Sequence, residues 1–222
     1  MVFMEDSERA ATLAKERNID VGLHLNFSEP FSGNPGSAML VESHRKISAF
    51  LTRSKYAQLL YNPLLREAFA YSWRAQIEEF ARLYDGLPSH VDGHHHLHLC
   101  ANVILGQVIP SGMKVRRHFS FWPNEKSLLN RRYRSSVNWL LARKYRLADY
   151  FFDLTQCIEE KKFYRVKALA RSSDVEVMTH PIIQSEIEYL IGDNFLSLLE
   201  DLDVNSSPPE ALLLGNSATR PR

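Results

Sequence analysis

Apolar positions along the chain come in short dense runs separated by longer stretches of helical periodicity. In DVGLHLNF the odd positions Val21, Leu23, Leu25 and Phe27 form an unbroken apolar face, while the even ones carry Gly22, His24 and Asn26. That period of two predicts a strand over 20–27. The FSEPFSGNPGS behind it predicts a loop. VEVMTHP repeats the pattern: Val175, Val177 and Thr179 face one way, Glu176, Met178 and His180 the other. Between them HVDGHHHLHL predicts a strand over 90–99 and MKVRRHFSFW another over 113–122, with ADYFFDL a short apolar segment and MVFM a strand remnant. Helical patterns fill the intervals. They run from an N-cap at Asp6 or Ser7 to Arg17, over 42–84 with a break near Asn62-Pro63, and over 102–108, 125–146, 159–170 and 187–199. From Asn205 the periodicity is lost, so 205–222 reads as a loose C-terminal tail behind a single domain of 1–204. Alternating strands and helices predict an α/β fold with a largely parallel sheet.

Composition narrows the classes. Of 222 residues, 45% are hydrophobic and 24% charged, which suits one globular core. The 27 basic and 26 acidic residues leave a formal charge of +1, which gives no general reason to expect a polyanion partner. Arg131, Arg132, Arg134, Arg143, Lys144 and Arg146 do cluster on the helix over 125–146, with Tyr133, Trp139 and Tyr145 between them. A solvated basic face with its aromatics turned to the core accounts for them, and no nucleic acid is expected. Cys100 and Cys157 are too few for a disulfide framework and fit a reducing compartment. The N-terminus lacks the apolar stretch of a signal peptide, and no apolar run approaches the roughly 18 residues of a membrane span. The expectation is a cytoplasmic protein with no membrane span.

Candidate chemistry concentrates in histidines. Three predicted strands carry one at or near the end, where parallel α/β folds place their ligand sites. In HVDGHHHLHL, strand parity puts His90, Asp92, His94, His96 and His98 on one face and His95 on the other. His94 and His96, roughly 6.6 Å apart, can line one pocket, whereas His90 and His98, roughly 26 Å apart, cannot share an ion. A carboxylate and imidazoles on one face suit a divalent metal such as zinc, iron or manganese. Taken singly, His24 or His180 is more often a hydrogen-bonded core or surface residue; the Asp-x-His-x-His-x-His spacing is more specific. Cys100 fits an apolar strand end, and His44, among charged neighbours, reads as solvated.

VGLHLNF, SHVDGHHHLHL, KVRRHFSFW with the nearby Glu125-Lys126, and VEVMTHP resemble, in order, the motifs of the YdjC-like carbohydrate deacetylases. That family includes chito-oligosaccharide and hopanoid-biosynthesis deacetylases. The resemblance runs to about residue 200. It implies a distorted (β/α) barrel and a metal-dependent hydrolase that removes an acetyl group from an N-acetylated sugar or oligosaccharide. It further implies His24 and His94 as ligands of a divalent ion, magnesium or zinc, and His180 as the residue assisting proton transfer to the leaving amine. Asp92 and His96 match the same motif and are expected in the pocket, Asp92 on the catalytic side and His96 on the substrate side. Arg116 or Arg117 is expected to meet the sugar or a phosphate on it, a salt-bridged arginine being the plain alternative. Glu176 is expected beside the substrate, with Glu176 or Asp92 as a substitute ligand or base. The expected partner is a small carbohydrate, with a homodimer left open.

One departure stands against that pattern. Family members begin with a strand carrying Asn-Ala-Asp-Asp-Phe-Gly, whose aspartates supply the third ligand and the general base. This chain opens on MVFMEDSERAATL, which resembles the family's second strand and helix, and it contains no Asp-Asp pair. The expectation is an incomplete barrel without its first βα unit and with a weaker metal site. Three accounts compete: a start codon assigned too late, which is favoured, a true truncation, or a non-catalytic sugar- or metal-binding pseudoenzyme.

Overall fold

Eight α-helices and four strands follow one another among the described residues of the computed structural model, which are 1–122, 125–159, 161–192, 195, 199 and 202. The tail expected over 205–222 lies outside the described residues. The helices are α1 (Ser7–Glu16), α2 (Ala38–Thr52), α3 (Arg66–Tyr84), α4 (Ala101–Gly106), α5 (Leu128–Ala142), α6 (Leu154–Glu159), α7 (Phe163–Ala170) and α8 (Gln184–Ile191). The strands are β1 (Leu23–Leu25), β2 (Val91–Gly93), β3 (Tyr150–Asp153) and β4 (Val175–Met178). The protein is mixed α/β with parallel pairing, as the alternation predicts.

β1 pairs with β2 and β3 with β4, both parallel, with His24 opposite Asp92 and Phe151 opposite Glu176. Segment 113–120 lies between the two pairs. Val91 N donates to the Lys114 carbonyl at 2.8 Å, Val115 N to that of Arg146 at 2.9 Å, and Ser120 N to that of Phe151 at 2.7 Å. Chain neighbours are therefore sheet neighbours: β1, β2, 113–120, 146–153 and β4 form an arc of parallel backbone. The described strands form no closed barrel.

Apolar burial explains the arc's two ends. The odd face of β1 is the expected one: Leu23, Leu25 and Phe27 are buried in a first core with Ile47 of α2 and Phe69 and Phe80 of α3. A second core gathers Phe152, Leu154, Cys157, Phe163 and Val166. Each fully buried large side chain contributes about 1.5–3 kcal/mol. Phe151 is fully buried and stacks on Phe119 at 4.4 Å.

Several predicted elements come out differently. The strand expected over 90–99 ends at Gly93, and His94–Leu99 fold into a 3-10 turn with His95 and His96 at φ 52° and 57°. Side-chain parity therefore fails beyond Gly93. The chain turns back so tightly that a Cβ on Gly93 would lie 2.8 Å from His98 Nδ1. MVFM is a turn, with Phe3 at φ 59° and Val2 supplying its buried apolar group. The strand expected over 20–27 is regular only over Leu23–Leu25, and 113–122 pairs through isolated bridges at Lys114 and Val115.

The helices shift too. α2 starts at Ala38 because Ser37 Oγ accepts from Leu40 N, and α5 is shorter than 125–146 because Ser127 caps it. Asp6 makes no cap bond and pairs with Arg9 instead. The helix expected over 159–170 is regular only over α7, because α6 ends at Glu159 and Lys161 follows it at φ 51°. ADYFFDL contains β3, and α8 starts at Gln184. Tyr133 and Trp139 are exposed rather than turned to the core, with the Arg143 guanidinium 3.6 Å above the Trp139 ring. Among the described residues no helix is long and apolar enough to cross a membrane.

Candidate metal and substrate site

His24 and Asp92 begin a line of hydrogen bonds that crosses the arc. His24 Nδ1 lies 2.9 Å from Asp92 Oδ1. The second carboxylate oxygen accepts from Arg116, whose Nε donates to Glu176 Oε1 at 2.6 Å. The four residues come from β1, β2, segment 113–120 and β4, so neighbouring parallel backbones set their spacing. Asp92 and the Arg116 side chain are 6% and 13% exposed. Beneath them the Phe151 ring lies 5.0 Å from the guanidinium carbon. Burial pushes the Asp92 carboxyl up, but the His24 hydrogen bond and the Arg116 charge outweigh it and hold it well below the usual carboxylate range. Arg116 and Glu176 thus hold each other and Asp92. Arg117 donates to the carbonyls of Ala148 and Asp149.

His94 stands where the chain leaves β2. Its ring meets that of His24 edge-on at 5.8 Å between centroids, and its Nε2 is 3.9 Å from Glu29 Oε2. Burial, then the charges of His95 and His24, push its pKa down, so it is a neutral lone-pair donor at pH 7. Glu29 was not singled out from sequence; its one signal was a carboxylate in the loop directly behind a histidine-bearing strand. His24 has the arrangement of a metal-binding imidazole, one ring nitrogen held by a carboxylate and the other left over. His24 and His94 fit two nitrogen ligands of a divalent ion. Among the described residues no group of three His, Cys, Asp or Glu completes a ligand set.

His96 takes another direction because residue 95 and residue 96 are both left-handed. Its ring lies 4.9 Å from Phe119 and 6.1 Å from Phe151. With His95, Phe119 and Tyr133 it lines a cavity of about 500 Å³. A second cavity of about 470 Å³ adjoins it, sharing Phe119 and Arg134 and adding Trp122. His95, expected on the opposite face from His96, borders the same cavity. Burial, then the Arg116 charge, push His96 down to about 4, so at neutral pH it is an uncharged hydrogen-bonding group. His98 is buried with Nε2 3.0 Å from the Arg116 carbonyl, a structural role. His44, expected to be solvated, is buried with Nε2 2.9 Å from the Glu29 carbonyl. Burial pushes the Cys100 thiol up to about 11, in keeping with its apolar reading.

His180 lies two residues past β4, and its hydrogen bonds run to Glu186 rather than to the line through Asp92. Sequence reasoning did not anticipate Glu186, whose only signal was an acid in the first turn of the following helix.

Known proteins resemble this chain in sequence. The chain is 32% identical over 115 residues to a carbohydrate deacetylase of Danio rerio and 33% identical over 107 residues to a carbohydrate deacetylase of Mus musculus. The matches cover 49% and 44% of this chain but 36% and 32% of those proteins, so it spans about a third of the curated relatives it matches. No solved structure matches significantly. The model of the YdjC-like protein family matches residues 1–208, from the segment before β1 to beyond α8. With its motif histidines carried on successive parallel segments of that matched region, the chain belongs to the YdjC-like protein family.

Proposed function

We propose that the protein removes an acetyl group from an N-acetylated sugar or oligosaccharide with a divalent metal ion, zinc before magnesium. The observation that carries this reading is His24, held through Nδ1 by the buried Asp92, with the His94 imidazole beside it. Two imidazoles suit zinc, whereas magnesium prefers an all-oxygen shell. When bound, such an ion polarises the acetyl carbonyl and lowers the pKa of a bound water toward about 7. His24 and His94 would hold it.

The protein's own groups do the rest. Asp92 accepts the Nδ1 proton of His24, which directs the Nε2 lone pair outward. Arg116 holds Asp92 and Glu176 in place and offsets one of their two negative charges. The cavity beside His96 offers the Phe119 and Tyr133 rings as apolar faces for a sugar, with neutral His96 as a hydrogen-bonding partner. His180 gives a proton to the departing amine, a role worth roughly 10²–10⁴-fold in rate.

Acetate release from N-acetylglucosamine oligomers, with and without added zinc, tests the proposal. Metal-dependent release is expected, and its loss in a His24→Ala/His94→Ala variant. A protein that binds zinc yet releases no acetate would refute catalysis. It would favour a second reading, a sugar-binding pseudoenzyme, for which the aromatic-lined cavity beside His96 speaks. Calorimetry with the same oligomers tests that one: it requires binding without hydrolysis.

A further inference from the structure

Glu186 is fully buried, a place where a carboxylate is found only when its oxygens are satisfied. Here both are. Oε2 accepts from the backbone N–H of His180, and Oε1 accepts from the Thr155 hydroxyl and lies 3.2 Å from His180 Nδ1. The turn joining β4 to α8 is closed by Ile183 N donating to the His180 carbonyl at 2.9 Å, so backbone and ring are both gripped from the α8 side. The imidazole itself is 39% exposed.

We infer that Glu186 is a positioning residue for His180: its carboxylate accepts the Nδ1 proton, fixes that tautomer, and leaves Nε2 as the nitrogen that exchanges a proton with substrate. The inference rests on the proposed role of His180 in deacetylation. In that step the imidazolium releases its Nε2 proton to the amine nitrogen, which keeps the electron pair of the breaking C–N bond. The ring ends neutral, with Nδ1–H still on Glu186, and Glu186 gains no proton. Among the described residues, the charged group hydrogen-bonded to the imidazole is Glu186 of α8; Thr155 of α6 is neutral, and Glu176, on the strand leading to His180, is bonded to Arg116. Burial pushes the Glu186 carboxyl up, but the Thr155 and His180 bonds bring it below its ordinary value, so it is an anion at neutral pH.

A purely structural Glu186 would tie the β4–α8 turn to α6 without caring which ring nitrogen of His180 is protonated. Histidine-selective ¹⁵N labelling of the 222-residue protein separates the two roles. Long-range ¹H–¹⁵N spectra at alkaline pH, where the rings are neutral, report each tautomer, and a His180→Gln variant assigns the signal. The parent is expected to show His180 as Nδ1–H with bare Nε2. Glu186→Gln keeps the volume but loses the charge and one acceptor oxygen, and is expected to move His180 toward Nε2–H while other histidine signals stay put. Nε2–H in the parent, or a parent-like His180 in a folded Glu186→Gln, overturns the inference. If that variant fails to fold, the parent tautomer alone decides. On N-acetylglucosamine oligomers Glu186→Gln is expected to lower kcat at least roughly tenfold with KM little changed. A parent that releases no acetate would reject the deacetylase reading but leave the tautomer result standing.

Discussion

His24 and Asp92 occupy paired positions on adjacent parallel strands, and a 2.9 Å hydrogen bond joins them. Register rather than side-chain flexibility sets that geometry, which is why the carboxylate can hold one imidazole tautomer.

Under the proposed zinc-binding role, removing the carboxylate acts on the ion. Asp92→Ala is expected to weaken zinc binding roughly 10–100-fold, the usual cost of losing a group behind a metal-binding histidine. Calorimetric titration measures it, with His118→Ala, a residue bordering the neighbouring cavity, expected to match the parent. Equal losses in both would place the ion elsewhere.

Arg116 is the middle of a triad with the buried Asp92 and the partly buried Glu176. Arg116→Met strands two carboxylates and is expected to cost about 3–5 kcal/mol in urea unfolding. The triple change Arg116→Met/Asp92→Asn/Glu176→Gln is expected to recover part of that loss. A cost below about 1 kcal/mol for Arg116→Met would mean the triad behaves as a solvated surface bridge.

Stability should depend on pH through buried imidazoles. Burial, as the leading cause, pushes His98 down to about 3 and His118 down to about 4, from an ordinary 6.5. The unfolded chain binds these protons below about 6.5 and the folded protein does not, so their contribution is full above 6.5 and drains away as pH falls toward 4. Asp92, depressed in the folded state, adds a further loss only below about 4. The Tm is expected to fall more between about pH 7.5 and 5, a window that spans the reference histidine pKa of about 6.5, than between about pH 9 and 7.5. In His118→Leu, which removes a buried Nε2 without a hydrogen-bond partner, the fall is expected to be shallower. A Tm unchanged from pH 7.5 to 5 would show that both rings take up protons as readily folded as unfolded.

Gly93 is where the histidine run leaves the sheet. A Cβ there meets His98 Nδ1 at 2.8 Å and His98 Cβ at 2.9 Å. Gly93→Ala is expected to destabilise by about 1–3 kcal/mol in urea unfolding. No loss would mean the 3-10 turn yields without cost.

What the sequence revealed divides along physical lines. β1, the start of β2 and β4 were legible because their residues obey period two in real strands, and the facing positions of His24 and Asp92 follow from the β1–β2 register. His94–Leu99 misled because His and Leu alternate there as in a strand while the backbone turns left-handed at His95 and His96. Nothing in a His-His pair encodes a positive φ; the tight return at Gly93 does, and it is visible only in three dimensions. Glu186 and the Arg116–Glu176 bond were hidden for another reason. Arg116 and Glu176 are 60 residues apart, and Glu186 reaches His180 only because α8 folds back on the end of β4.

The apolar side chains gather in two separate cores, and the line from His24 to Glu176 starts on the first and ends beside the second. His24 and His94 therefore ride with one body of the protein, Glu176 and His180 with the other. A partial opening that loosens only the second core, at a free-energy cost below that of global unfolding, is enough to part His180 from His24 and His94. The line from His24 to Glu176 is therefore a seam between the two cores.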